Sequence, residues 1–166
     1  MKIQLIDKTK KKKIIEELSY FGVEKIPYLL MMTGNERVRA YSGNLSNEEI
    51  MKIYSKLRVE ALGLYFGKLL IDRHGKKEAR LSLDALHILK NEIRKNIVKL
   101  NEEQEENWFR GKDIELTEEQ QDKDLKENEF VAILSFDGKD FIGTGKLSLD
   151  KKHVSCFLPK ERRRKD

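Results

Sequence analysis

The chain has 166 residues, 39% hydrophobic and 38% charged, a charged share well above the ~25% of an average soluble domain that excludes a membrane protein, a collagen and a disulfide scaffold. Its 34 Lys+Arg against 29 Asp+Glu leave a net charge of +5, and clear apolar periodicity with two prolines argues against full disorder. A single cysteine, Cys156, permits no intrachain disulfide, and no apolar run approaches the ~18–20 residues that span a bilayer, so a cytoplasmic protein without a membrane partner is expected.

Residues 1–6 alternate Ile3 and Leu5 with polar neighbours and read as a short strand. Asp7 is placed to cap a helix over 8–21 whose apolar face is Ile14, Ile15, Leu18 and Phe21, with Gly22 as its stop. A strand over 26–33, with Pro27 at its start, turns at Thr33-Gly34-Asn35 into a hairpin partner over 38–41. Ser46 and Glu49 form a capping box, opening a helix to about residue 57 that buries Ile50, Ile53, Tyr54 and Leu57. The apolar run 59–71 reads as a strand bent at Gly63 and Gly67. Arg73-His74-Gly75-Lys76 makes a turn, 79–81 a strand, and Ser82 or Asp84 caps a helix over 84–95 with Leu86, Leu89 and Ile93 inside.

Residues 96–100 are strand-like, and Asn101 with Gln104 caps a short helix ending at Gly111. The acidic stretch 115–129 lacks a core face and reads as a loop. Strands over 130–136 and 141–149 flank the turn Asp137-Gly138-Lys139, with Val131, Ile133 and Leu147 expected inside. A last strand over 154–158 ends at Pro159, and 160–166 form a tail. Helices alternate with strands before residue 97, whereas one helix precedes several strands after it. Two subdomains sharing an interface follow: an α/β layer over 1–96 and a small barrel over 97–166.

No catalytic seat is visible. The chain has neither GxGxxG nor GxxxxGK[ST], so no nucleotide cofactor is expected. His153 and Cys156 form an H-x-x-C pair without the second pair that a closed zinc site needs, so no metal is expected. Cys156 shares a strand face with Val154 and Leu158 and reads as a buried thiol. Charge is distributed unevenly: residues 1–100 carry 21 basic and 12 acidic groups, 101–129 carry 4 and 12, and 139–166 carry 9 and 4. Two basic regions flanking an acidic one form a nucleic-acid pattern when the cations share a face.

Trp108-Phe109-Arg110-Gly111-Lys112-Asp113-Ile114 matches W-[YF]-x-G-[KR]-D-[IV]. Ile142-Gly143-Thr144-Gly145-Lys146 and Phe157-Leu158-Pro159-Lys160-Glu161-Arg162-Arg163 follow it. This succession resembles the C-terminal PUA-like RNA-binding domain of the Nop/Sun family of RNA 5-methylcytosine methyltransferases. Leu62-Gly63-Leu64-Tyr65-Phe66-Gly67-Lys68 and Arg80-Leu81-Ser82-Leu83 are similar, more loosely, to the pre-PUA half of PUA-containing ribosome-assembly factors. The resemblance implies an α+β fold with an N-terminal α/β pre-PUA-like subdomain and a C-terminal PUA-like β pseudo-barrel. The catalytic half of the methyltransferases is missing, which implies a stand-alone, non-enzymatic module binding rRNA or tRNA in ribosome assembly or RNA modification. The alternative is a protein-interaction module, docking a methyltransferase or ribosomal protein through the acidic 115–129 segment.

Lys146, Lys151, Lys152, Lys160, Arg162, Arg163, Arg164 and Lys165 are the candidate phosphate contacts, the alternative for the terminal run being a solvated tail. Lys11, Lys12 and Lys13 join them. They stand in the first turns of a helix, where the macrodipole disfavours cations by a few tenths of a kcal/mol each and a phosphate would offset the repulsion; a solvated basic helix start is the plain alternative. Gly111 suits a left-handed cap. Gly143 and Gly145, at period two, leave room for a close approach by ligand or backbone, or for tight barrel packing. Trp108 and Phe109 either pack the helix on the barrel or stack on bases.

Overall fold

The computed structural model describes residues 3–71, 77–121 and 124–164. Met1, the turn over 73–76 and Lys165 therefore lie outside the described residues. The first half is a meander of antiparallel strands in the order β1 (Ile3–Leu5), β2 (Leu29–Thr33), β3 (Arg37–Tyr41), β4 (Leu64–Ile71) and β5 (Lys77–Leu81). Helix α1 (Lys8–Leu18) and a 3-10 turn over Ser19–Phe21 lie between β1 and β2. Asp7 caps α1 by accepting from the Lys10 N–H at 2.8 Å, and Gly22, at φ 87°, ends the turn.

Alternation puts successive β2 residues on opposite faces, and both faces are covered. Leu30 joins Ile14, Leu18, Phe21, Phe66 and Leu86 in the main core, while Met31 joins Ile3 and Ile50 beneath helix α2 (Asn47–Lys56). The Ser46/Glu49 capping box is present, but the helix stops one residue earlier than expected. Leu57 is extended there and 64% exposed instead of buried, because its backbone leaves the helix before its side chain reaches the core. The strand anticipated over 26–33 starts at Leu29, leaving Pro27 outside it. That anticipated over 59–71 starts at Leu64, after Gly63 at φ 76°.

Helix α3 (Leu83–Ile88) is capped not by Asp84 but by Ser82, whose hydroxyl accepts from Ala85 N at 3.0 Å. It is half the expected length. After Ile88 the chain tightens, Lys90 N donating to His87 O at 3.3 Å, and the N–H groups of Arg94 and Lys95 donate to the Phe21 carbonyl at 2.9 and 3.2 Å. Leu86, Leu89 and Ile93 are nevertheless all buried.

The second sheet has the order β6-β8-β9-β10-β7, built from β6 (Ile97–Lys99), β7 (Ile114–Glu115), β8 (Phe130–Leu134), β9 (Phe141–Leu147) and β10 (His153–Cys156). Among the described residues the β6–β8 pair is parallel and the other pairs of this sheet antiparallel, and helix α4 (Glu102–Phe109) lies between β6 and β7 in the chain. Strand β8 joins the halves of the molecule. Its Phe130 and Ala132 enter the first sheet's core, while Val131 and Ile133 face the core around Trp108. Leu147 is inside as well.

Two further expectations are corrected by the C-terminal half. The 115–129 segment is not a coreless loop: Leu116 and Leu125 are buried, and a 3-10 turn over Glu118–Gln120 anchors it. Gln120 and Gln104 exchange amide hydrogen bonds at 2.8 and 2.9 Å, and Gln120 Nε2 also donates to Lys99 O at 2.6 Å. Residues 160–164 are not a free tail. They form a 3-10 turn over Lys160–Arg162, after which Arg164 N donates to Phe109 O at 2.8 Å.

Candidate functional site

The two sheets meet along a seam made by β5 on one side and β8, β9 and the end of β10 on the other. Glu78 and Arg80 are two apart on β5 and so share a face. The Glu78 side chain, 6% exposed, accepts from Lys146 Nζ at 3.1 and 3.4 Å. Lys146 Nζ also stands 5.1 Å from the centre of the Phe130 ring, and Phe130 meets Phe157 edge to face at 5.7 Å. Arg80 closes the ladder, its guanidinium 5.2 Å from the centre of the Phe157 ring. Thr144 Oγ1 adds a buried hydrogen bond to Leu81 O at 2.7 Å.

At one end of this seam the surface opens into a cleft of about 100 Å³, lined among others by Tyr65, Arg80, Gly143, Phe157, Pro159 and Arg162. Its residues come from both sheets and from the turn after Pro159. Arg162 reaches it through an exposed pair with Asp84, Nη2 to Oδ1 at 3.2 Å. Phe157 stays 39% exposed despite its position beside the core. Two guanidinium groups and two aromatic rings thus share one concavity, beside a single carboxylate. Such a lining offers stacking surfaces and anion contacts together.

The anticipated site residues divide into several groups. Arg162 and Gly143 line the cleft, with Lys160 in the same 3-10 turn as Arg162. Arg163 donates from Nε to Leu158 O at 3.0 Å and lies across Gly111, whose φ is 77°. The Arg164 guanidinium stacks 4.9 Å from the centre of the Phe109 ring. Lys146 is half-buried against Glu78. Lys151 and Lys152 sit in the β9–β10 turn, at the other end of β10 from Phe157, which is roughly 13 Å of strand. On α1, Lys11 donates to Tyr28 O at 2.8 Å and burial lowers its pKa; Lys12 and Lys13 are exposed. The α1 lysines and the cleft belong to separate surfaces, Lys8, Lys11 and Lys12 lining a groove with Ile15 and Val23.

The glycine spacing proves to serve packing. A Cβ on Gly143 would come within 2.9 Å of Trp108 Cζ2, and one on Gly145 would collide with Val154. Trp108 is fully buried and donates from Nε1 to Ile142 O at 3.1 Å. Asp113 accepts from Cys156 N at 2.9 Å and from Ser155 Oγ at 3.3 Å. Cys156 is half-buried with its thiol 3.6 Å from Trp108 O, and burial pushes its pKa up. The Trp108–Ile114 block is thus an architectural unit.

The sequence reading does not mark Tyr65, Arg80 and Phe157, which the cleft brings together. The available signal was an aromatic, Phe157, placed between a strand and a basic run. Among the described residues, no three His, Cys, Asp or Glu side chains group to hold a metal, and no helix is long and apolar enough to cross a membrane.

No protein-family model matches the chain, and no curated protein matches it. Among solved structures, a conserved PUA domain protein from Thermoplasma acidophilum is similar, with a TM-score of 0.57 at 14% identity over 97% of this chain and 97% of that one. At that identity the likeness is one of fold: the chain has an α+β, PUA-like fold.

Proposed function

We propose that this chain is a non-catalytic RNA-binding protein that takes structured rRNA or tRNA as an accessory factor in ribosome assembly or RNA modification, in the cytoplasm and without a cofactor. Residues 97–166 are the PUA-like module, akin to that of the Nop/Sun methyltransferases, and 1–96 are its pre-PUA-like companion. The observation that carries the reading is the cleft itself: a PUA-like fold in which Arg80 and Arg162, from opposite sides of the seam, converge with Tyr65 and Phe157. The adjoining Lys160, Arg163 and Arg164 extend the positive charge along the C-terminal turn. Phosphate contacts position such a protein, and counterion release makes its affinity salt-dependent. Titrating purified protein into labelled tRNA and rRNA fragments at stepped salt tests this; affinity that falls steeply with salt is expected, and no binding at low salt rejects it.

One observation favours a second reading. The 115–129 segment is held in place by Leu116, Leu125 and Gln120 while Glu115, Glu118, Glu119 and Glu127 remain exposed. Such a fixed acidic face is suited to a basic partner, such as an RNA methyltransferase or a ribosomal protein. Co-purification of one protein after nuclease treatment would favour this reading.

A further inference from the structure

We infer that the seam cleft takes one unpaired nucleotide of a single-stranded RNA segment, its base against Phe157 and its phosphate at Arg162, an inference that rests on the RNA-binding reading above. The cleft has room for one small planar group and is bounded on both sides of the seam, by Tyr65 and Arg80 on the first sheet and by Phe157 and Pro159 just beyond the end of β10. A duplex keeps its bases stacked and presents phosphates and 2′-hydroxyls on a broad surface, so no base of it reaches a recessed ring. An unstacked base does, because every base has a π-face that an aromatic side chain can match without sequence preference.

The lining fits the whole nucleotide. The Phe157 ring meets Phe130 edge to face and has Arg80 over one face, so the ring is positioned before any ligand arrives. Arg80 stands over the Phe157 ring with the Glu36 carboxylate near enough to feel its charge, and its N–H groups are offered to base-edge acceptors. Arg162 gives one Nη2 contact to Asp84, and that pair is exposed, so a phosphate competes for the same guanidinium at little cost. The base therefore lies inward and the phosphate outward, toward Lys160 and the basic turn. A free nucleotide carries the same chemistry as a strand; the neighbouring cations favour the strand, whose further phosphates they would meet.

The test compares wild type with Phe157→Leu, which keeps an apolar side chain but removes the stacking surface. Three probes are titrated: single-stranded oligouridine, a duplex of equal length and UMP. The variant is expected to lose about 5- to 100-fold in affinity for the single strand, with duplex affinity unchanged and UMP far weaker than the strand. A second measurement needs no variant: oligouridine carrying 5-iodouridine, photocrosslinked to wild-type protein, is expected to attach at Phe157. Phe157→Leu binding the single strand as wild type does, or crosslinks mapping away from the cleft, would overturn the inference while RNA binding stands. UMP binding as tightly as the strand would make the occupant a free nucleotide and overturn it too. Failure of both RNAs to bind would reject the RNA-binding reading itself.

Discussion

Gly143 shows how a single position serves the fold here. Its φ of 155° and the 2.9 Å approach that a Cβ would make to the buried Trp108 ring leave no room for a side chain. Gly143→Ala is expected to cost about 1–3 kcal/mol through overpacking, read from the denaturant midpoint; an unchanged midpoint would show that the Trp108 ring yields. Asp137 acts through charge. Its carboxylate accepts from Ser135 Oγ at 2.7 Å and from Lys139 N at 3.0 Å, and these contacts hold its pKa at about 2. The folded value lies below the unfolded one of about 3.9, so the contribution is present above that value and is lost as pH falls through the folded one. Asp137→Asn should therefore flatten the fall in melting temperature between about pH 4 and pH 2. Retention of the wild-type acid limb would contradict this assignment.

Among elements, the seam ladder of Glu78, Lys146, Phe130, Phe157 and Arg80 is where the two sheets depend on each other. Glu78→Gln leaves Lys146, 25% exposed, without its carboxylate. Breaking a fully buried pair costs about 3–5 kcal/mol, and the partial exposure of Lys146 reduces the expected loss to about 1–3 kcal/mol. Chemical denaturation measures it, and a loss under about 0.5 kcal/mol, typical of a surface pair, would contradict a seam role. Local signals made the helix starts legible: Asp7, Ser46 and Asn101 all cap as their sequence context predicts. The hairpins 29–41 and 130–147 were readable from alternation and turn residues for the same reason. The end of α3 was not, because the chain tightens at Lys90 and Phe21, more than 70 residues away, holds the Arg94 and Lys95 N–H groups beyond it. Leu116 and Leu125 fit neither a helical nor a strand period, so their burial left no local trace. The cleft was equally hidden: Arg80 and Phe157 are apart in sequence and meet only through the pairing of the sheets.

At the scale of the molecule, one PUA-like fold carries opposite charge on different surfaces, with arginines and aromatics gathered where the two sheets meet. The C-terminal turn, folded back onto α4 by Arg163 and Arg164, brings Arg162 to that place and fixes it there. The central claim is that RNA lies across the seam and touches both sheets. Its most direct test is the salt dependence of single-stranded RNA affinity for wild type, Arg80→Gln, Arg162→Gln and the double variant. Arg162→Gln should lower the log–log slope by about 0.7, similarly for RNAs of different sequence and with melting temperature little changed, whereas Arg80→Gln, which faces base edges, should weaken binding with the slope kept, and the double variant should show both effects. A slope and affinity left unchanged in the double variant would contradict the account.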